Sequence, residues 1–108
     1  GKTAIMIDDM VDTGGSLAKA SQALLDGGAK KVFACATHAV LSGAALDNLS
    51  KSSLQEIVFT NTIAHKALPK IFVFLSIARL LAETIKRIDK EKCVSELFEQ
   101  WPIGLSNF

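Results

Sequence analysis

The chain predicts an α/β fold, a parallel sheet covered by helices, because strand-like and helix-like segments alternate along it. The opening run Ala4, Ile5, Met6 and Ile7 is apolar throughout, as parallel strands buried on both faces are. It stops at two adjacent carboxylates, Asp8 and Asp9, which places them at the carboxyl edge of the sheet, where open α/β sheets bind ligands. Gly27 and Gly28 then close a helical stretch just before the next β-prone run.

Ser16 to Asp26 reads as the first helix, with Leu17, Ala20 and Leu24 on its apolar face. Lys31 to Thr37 supplies the second strand. Ser42 is placed to cap a short helix running through Ala44, Ala45, Leu46 and Leu49. A third strand follows from Glu56 to Thr60, and a fourth from Ile71 to Leu75 after a connection containing Pro69. The clearest periodic element is a helix from Ile77 to about Lys90, with Ile77, Leu80, Leu81, Ile85 and Ile88 as its apolar stripe. Arg79, Glu83, Lys86, Arg87 and Lys90 form its solvated face, with Glu83 and Arg87 at the spacing of an i,i+4 pair.

Between the first strand and first helix stand Asp12, Thr13, Gly14, Gly15 and Ser16. A tight turn of this kind aims backbone N–H groups at an anion, aided by hydroxyls and the positive end of the helix, and glycine lets the anion approach closely. Asp8 and Asp9 can accept hydrogen bonds from vicinal sugar hydroxyls, so the segment reads as a sugar-phosphate site. An ordinary strand-to-helix turn with Ser16 as N-cap uses the same residues, and the order of all the parts favours the site. No Lys follows the glycines in the G-K-[ST] pattern and GxGxxG is absent, which argues against a Walker loop and a dinucleotide fingerprint. Asp12 has three open roles: positioning the phosphate loop, capping the helix or acting on the reacting sugar. Asp8 and Asp9 can also hold Mg2+ indirectly, through sugar hydroxyls or water, since that ion needs only one or two carboxylates. His38, just past a strand, reads as structural; His65 lies in a loop without an evident partner; neither has zinc-ligand spacing.

At DDMVDTGGS the chain resembles the phosphoribosyl diphosphate (PRPP) fingerprint of the type I phosphoribosyltransferase fold. There two acids hold the ribose hydroxyls and a TGGT-like turn holds the 5′-phosphate; Ser16 keeps the hydroxyl of the usual Thr. THAVLSGAA (Thr37 to Ala45), VFTNTI (Val58 to Ile63), LLAETIKRI (Leu80 to Ile88) and CVSELF (Cys93 to Phe98) resemble, in the same order, the C-terminal part of ribose-phosphate diphosphokinase, or PRPP synthetase. The resemblance implies Mg2+-assisted transfer of diphosphate from ATP to ribose 5-phosphate, giving PRPP for nucleotide biosynthesis. It places the ATP-gripping and basic catalytic residues outside this segment, and it implies a cytoplasmic homo-oligomer, a hexamer by family precedent. Residues 1–98 would then be an incomplete C-terminal phosphoribosyltransferase-like domain whose first strand is central, flanked by strands from sequence not in this chain. Residues 99–108, with Trp101 and Phe108, would be a divergent tail.

In the same family the segment matching Val94, Ser95 and Phe98 helps form an effector site for nucleotides between subunits. Cys93 and Glu96 stand where Ser and Tyr are common, and Glu96 would meet a phosphate with like charge. The plain alternative is that Val94, Leu97 and Phe98 pack a C-terminal strand onto the core. Ala44 and Arg79 replace common prolines. Two rival functions share the first motif: a phosphoribosyltransferase that consumes PRPP, and a non-catalytic subunit associated with the synthetase.

Bulk properties bound these readings. At 108 residues, with 49% apolar and 21% charged side chains, the chain is at most one small globular domain. A net charge of +1 gives no ground for nucleic acid or an anionic membrane as partner, so an anion site has to be local. Cys35 and Cys93 lack CxxC spacing and read as reduced thiols. No apolar run approaches a membrane span.

Overall fold

The computed structural model describes residues 1–100. The first of its two compact units, Gly1–Leu75, holds strands β1 (Thr3–Val11), β2 (Lys31–Ala39), β3 (Glu56–Thr60) and β4 (Phe72–Leu75). Helix α1 (Gly15–Asp26) joins β1 to β2, and α2 (Ala45–Ser50) joins β2 to β3. The strands lie in chain order, β1-β2-β3-β4, all parallel. The register sets Ile5 beside Phe33, Asp8 beside Ala36 and Met10 beside His38.

Helices α1 and α2 cover one face of this sheet. Val32, Ala34, Ala36, Ile57, Phe59 and Phe72 are buried there, with Leu49 of α2, while Leu17 and Leu25 of α1 pack against them. Small residues on β2 let the helices approach closely, and Phe59 fills the space between, stacked at 5.7 Å from Phe74 and 6.3 Å from Phe72. The opposite face carries Ile5, Ile7 and Leu75, which are 62%, 84% and 57% exposed. The first strand was expected to be buried on both faces and central; instead, among the described residues, it pairs with β2 alone and is an edge strand.

Local chemistry explains where α1 departs from its pattern. Its buried side is Leu17, Ser21 and Leu25 rather than Leu17, Ala20 and Leu24; Ala20 and Leu24 are exposed. A serine can occupy the core face because its Oγ donates to the Ala18 carbonyl at 2.7 Å. At the far end Gly28 takes the left-handed conformation, φ 104°, so that Gly28 N–H reaches Leu25 O and Ala29 N–H reaches Leu24 O. Those paired bonds are the Schellman stop that the glycine pair promised.

The second unit begins at Ser76. Helix α3 (Ala78–Asp89) matches the periodic segment to within a residue at each end, yet none of its residues is buried: Leu81, Ile85 and Ile88 are 50%, 66% and 63% exposed. The covered side chain is instead Arg87 from the expected wet face. Its guanidinium contacts Glu83 at 3.1 Å, Glu96 at 2.8 Å and the Cys93 carbonyl at 2.9 Å, leaving 13% of it exposed. Both carboxylates raise its pKa, Glu96 first. The segment expected as a closing strand is a helix, α4 (Glu96–Gln100), begun by a turn in which Leu97 N–H bonds Val94 O. Leu97 is buried and Phe98 exposed. Residues 101–108, including Trp101 and Phe108 of the expected tail, lie outside the described residues.

Candidate functional site

The strand was expected to end at Asp8 and Asp9; instead β1 runs on to Val11, with Met10 and Val11 still paired to His38 and Ala39, so both acids lie in its last four residues before the chain turns into α1. Asp8 lines an open cleft of about 230 Å³ together with Met10, Val11, Asp12, Thr13, Gly14, Ser16 and Leu17. Asp9, next to Asp8 in β1, and Gly15, the first residue of α1, do not line it. The two acids bond locally: Asp8 Oδ1 accepts the Asp9 N–H and Asp9 Oδ1 accepts the Met10 N–H, each at 2.8 Å. Hydrogen bonding from the Asp8 side chain, then from Met10 N–H, holds the Asp9 carboxyl below its usual range, with His38 adding in the same sense. Asp9 is exposed and stays ionised at neutral pH.

The turn is built on Gly14, the N-cap of α1, at φ 76°. The plain alternative, an ordinary turn with Ser16 as N-cap, is not what forms: Ser16 sits inside the first turn, with no side-chain cap present. Gly14 O accepts the first helical bond from Ala18 N–H at 2.9 Å. By helix geometry the N–H groups of Gly15, Ser16 and Leu17 then have no upstream carbonyl to bond, and they point out of the helix start as donors for an anion. A Cβ at Gly15 would meet nothing within 4 Å, so the space beside this residue is open.

A second connection supports the turn, which sequence reasoning missed. Ser42 donates its Oγ to the Asp12 carboxylate and its N–H to Asp12 O; Asn48 donates its Nδ2 to Thr13 O at 2.9 Å. Ser42 was expected to cap α2, but α2 starts from Ala44 without a side-chain cap because that hydroxyl is engaged by Asp12. Of the open roles for Asp12, capping α1 is not the one seen.

His38 Nδ1 shares a hydrogen bond with Thr62 Oγ1 at 2.7 Å, on the strand beside Met10. His65 does have a partner: its Nε2 bonds the Ala39 carbonyl while its ring lies 5.9 Å from Phe74. No group of three or more His, Cys, Asp or Glu able to hold a metal occurs among the described residues. Val94 and Phe98 line an apolar cleft of about 440 Å³ with Leu80, Leu81, Thr84 and Leu97. Ser95 Oγ lies 2.8 Å from Cys93 Sγ and is the first cause lowering that thiol's pKa, followed by the Glu96 and Ser95 N–H groups. No helix among the described residues is long and apolar enough to cross a membrane.

Comparison with known proteins adds to this geometry. A ribose-phosphate pyrophosphokinase of Pasteurella multocida is 50% identical over 102 residues, covering 91% of this chain and 32% of the relative. That of Bacillus caldolyticus is 49% identical over 102 residues, covering 92% and 32%. The crystal structure of phosphoribosylpyrophosphate synthetase from Mycobacterium smegmatis superposes with a TM-score of 0.79 at 42% identity, covering 84% of this chain and 31% of that one. The chain spans about a third of the length of the curated relatives it matches. The phosphoribosyl synthetase-associated domain description matches residues 1–99, and the chain belongs to that family.

Proposed function

We propose that this chain is the ribose 5-phosphate-binding part of a ribose-phosphate pyrophosphokinase, which moves diphosphate from ATP to ribose 5-phosphate and so makes PRPP. The observation that supports it best is one cleft joining the Asp8 carboxylate to the helix start at Gly14–Ser16. In this reading Asp8 and Asp9 accept hydrogen bonds from the ribose hydroxyls. Thr13, Gly14, Gly15 and Ser16 hold the 5′-phosphate through N–H groups and hydroxyls, and Asp12 shapes the loop. The ribose 1-hydroxyl oxygen then bonds the β-phosphorus of ATP while the bond from that phosphorus to the α-phosphate oxygen breaks, releasing AMP. What these residues contribute is position: a sugar fixed at both ends presents its 1-hydroxyl in one orientation.

Mg2+ fits the donors present. Adjacent exposed carboxylates, one held ionised, suit an ion that takes one or two protein oxygens and completes its shell with water and substrate. When bound, such an ion neutralises phosphate charge. ATP-binding groups, the homo-oligomeric partner and any nucleotide effector at Val94, Ser95 and Phe98 belong to the whole protein and are part of the proposal.

Calorimetric titration of ribose 5-phosphate and of inorganic phosphate, with Mg2+, tests the division of labour. Asp9→Asn should weaken ribose 5-phosphate on the order of tenfold or more and leave inorganic phosphate unchanged. Gly15→Val should weaken both, since its side chain occupies the anion's approach. Unchanged ribose 5-phosphate binding in Asp9→Asn, or unchanged phosphate binding in a folded Gly15→Val protein, would remove the reading.

A further inference from the structure

We propose that Ser42 and Asn48 are positioning residues for the phosphate-binding turn, acting through Asp12 and Thr13 without touching the ligand; this rests on the reading of Thr13–Ser16 as the phosphate loop. The turn between β1 and α1 has acceptors and donors, and they separate cleanly. Its acceptors face the connection between β2 and α2. Val11 O accepts both Val40 N–H and Leu41 N–H at 3.1 Å, and Asp12 O accepts Ser42 N–H at 3.0 Å. The Asp12 carboxylate accepts Ser42 Oγ, and Thr13 O accepts Asn48 Nδ2 at 2.9 Å. Leu49, fully buried, closes against the Cα of Gly14. Each trans peptide unit sets its N–H opposite its carbonyl, so with the Val11, Asp12 and Thr13 carbonyls drawn to one side, the N–H groups of Asp12, Thr13 and Gly14 point away from that support, and the turn enters α1 in a fixed orientation.

The supporting connection is itself held in an unusual shape. Leu41 adopts φ 51°, a left-handed conformation uncommon for a side-chain-bearing residue. That twist brings three consecutive N–H groups, from Val40 to Ser42, onto the turn. Ser42 and Asp12 are thirty positions apart in sequence, and Asn48 and Thr13 thirty-five. Neither pair is explained by local helix capping. The arrangement predicts that the shape of the anion cradle depends on a hydroxyl and an amide that lie outside the β1–α1 motif.

The test uses the protein in the longest form its gene encodes. Inorganic phosphate and ribose 5-phosphate are titrated calorimetrically into wild type, Ser42→Ala, Ser42→Thr and Asn48→Ala, with Gly15→Val as reference and melting temperatures recorded. Ser42→Ala and Asn48→Ala should each weaken both ligands by a similar factor, roughly fivefold to tenfold, as expected for loss of one hydrogen bond that shapes the site without touching the ligand. Ser42→Thr, which keeps the hydroxyl, should restore binding. If Gly15→Val abolishes phosphate binding while both alanine variants bind normally, the positioning role is wrong and the phosphate loop stands. If Gly15→Val binds phosphate normally, the loop reading itself falls. Affinity losses that track melting temperature across the variants, with no recovery in Ser42→Thr, would show a merely structural role and overturn the proposal.

Discussion

Gly14→Ala separates the demands of the fold from those of the ligand at a single turn. Gly14 sits at φ 76°, where a residue with a Cβ costs about 1–2 kcal/mol. The added carbon would also stand 2.7 Å from Leu49 Cγ and 2.9 Å from Leu49 Cδ2. Leu49 is 0% exposed, so it cannot swing into solvent; it has to repack at a cost of about 1–3 kcal/mol. Together these give a destabilisation of roughly 2–5 kcal/mol, a large share of the 5–15 kcal/mol typical of a domain. Gly15→Ala is the control, because its Cβ meets nothing and its φ is ordinary; it should be neutral or stabilise by about 0.4–1 kcal/mol. Urea denaturation followed by circular dichroism reads both. The double variant Gly14→Ala with Leu49→Ala should be less unstable than the sum of its single variants, because truncating Leu49 removes the clash. Equal stability of Gly14→Ala and Gly15→Ala, or strict additivity in the double variant, would refute the argument that Gly14 is fixed by backbone sign and by Leu49.

Cys93 should react with iodoacetamide before Cys35, since its thiol is exposed and its pKa is lowered by Ser95, whereas Cys35 is half-buried; its thiolate appears at lower pH, and Ser95→Ala should shift its rate profile to higher pH. Arg87→Ala should speed hydrogen exchange at residues 94–99 while leaving β1 to β3 protected, because Arg87 ties α3 to Glu96 and Cys93 O; unchanged exchange there would count against that tie. The 108-residue chain alone should show concentration-dependent association through the open edge and face of β1, reduced by Ile7→Lys and visible in sedimentation velocity; equal association in the variant would place the contact elsewhere. The same isolated chain should form no PRPP from ATP and ribose 5-phosphate, and product formation by it would contradict the assignment of ATP-binding groups to other sequence.

The strands were legible because their signals are local. The third matches Glu56–Thr60 to the residue, and an apolar run ending on two acids marked the first. What escaped depends on contacts distant in sequence. The cap is Gly14 and not Ser16, the alternative the sequence offered, because the chain enters α1 through a left-handed residue pressed on Leu49, thirty-five positions away, and no local preference encodes that. Ser21 took a core position that a hydrophobic pattern assigns to Ala20, since its hydroxyl is satisfied within the helix. CVSELF is too short for periodicity to tell a strand from a five-residue helix, and Arg87 bonding to Cys93 O and Glu96 favours the helical turn. The acids and glycines of the site were readable as types, but the engagement of Asp12 with Ser42 was not, because it joins two connections that only the parallel pairing of β1 and β2 brings together.

The central claim is that one turn reads a sugar phosphate from both ends, and a crystal structure of the protein with ribose 5-phosphate and Mg2+ tests it most directly. The account predicts the 5′-phosphate within hydrogen-bonding distance of the N–H groups at Gly14–Ser16, the ribose hydroxyls on Asp8 and Asp9, and Asp12 still bonded to Ser42. A phosphate bound away from the start of α1, or ribose hydroxyls with no contact to either acid, would contradict it.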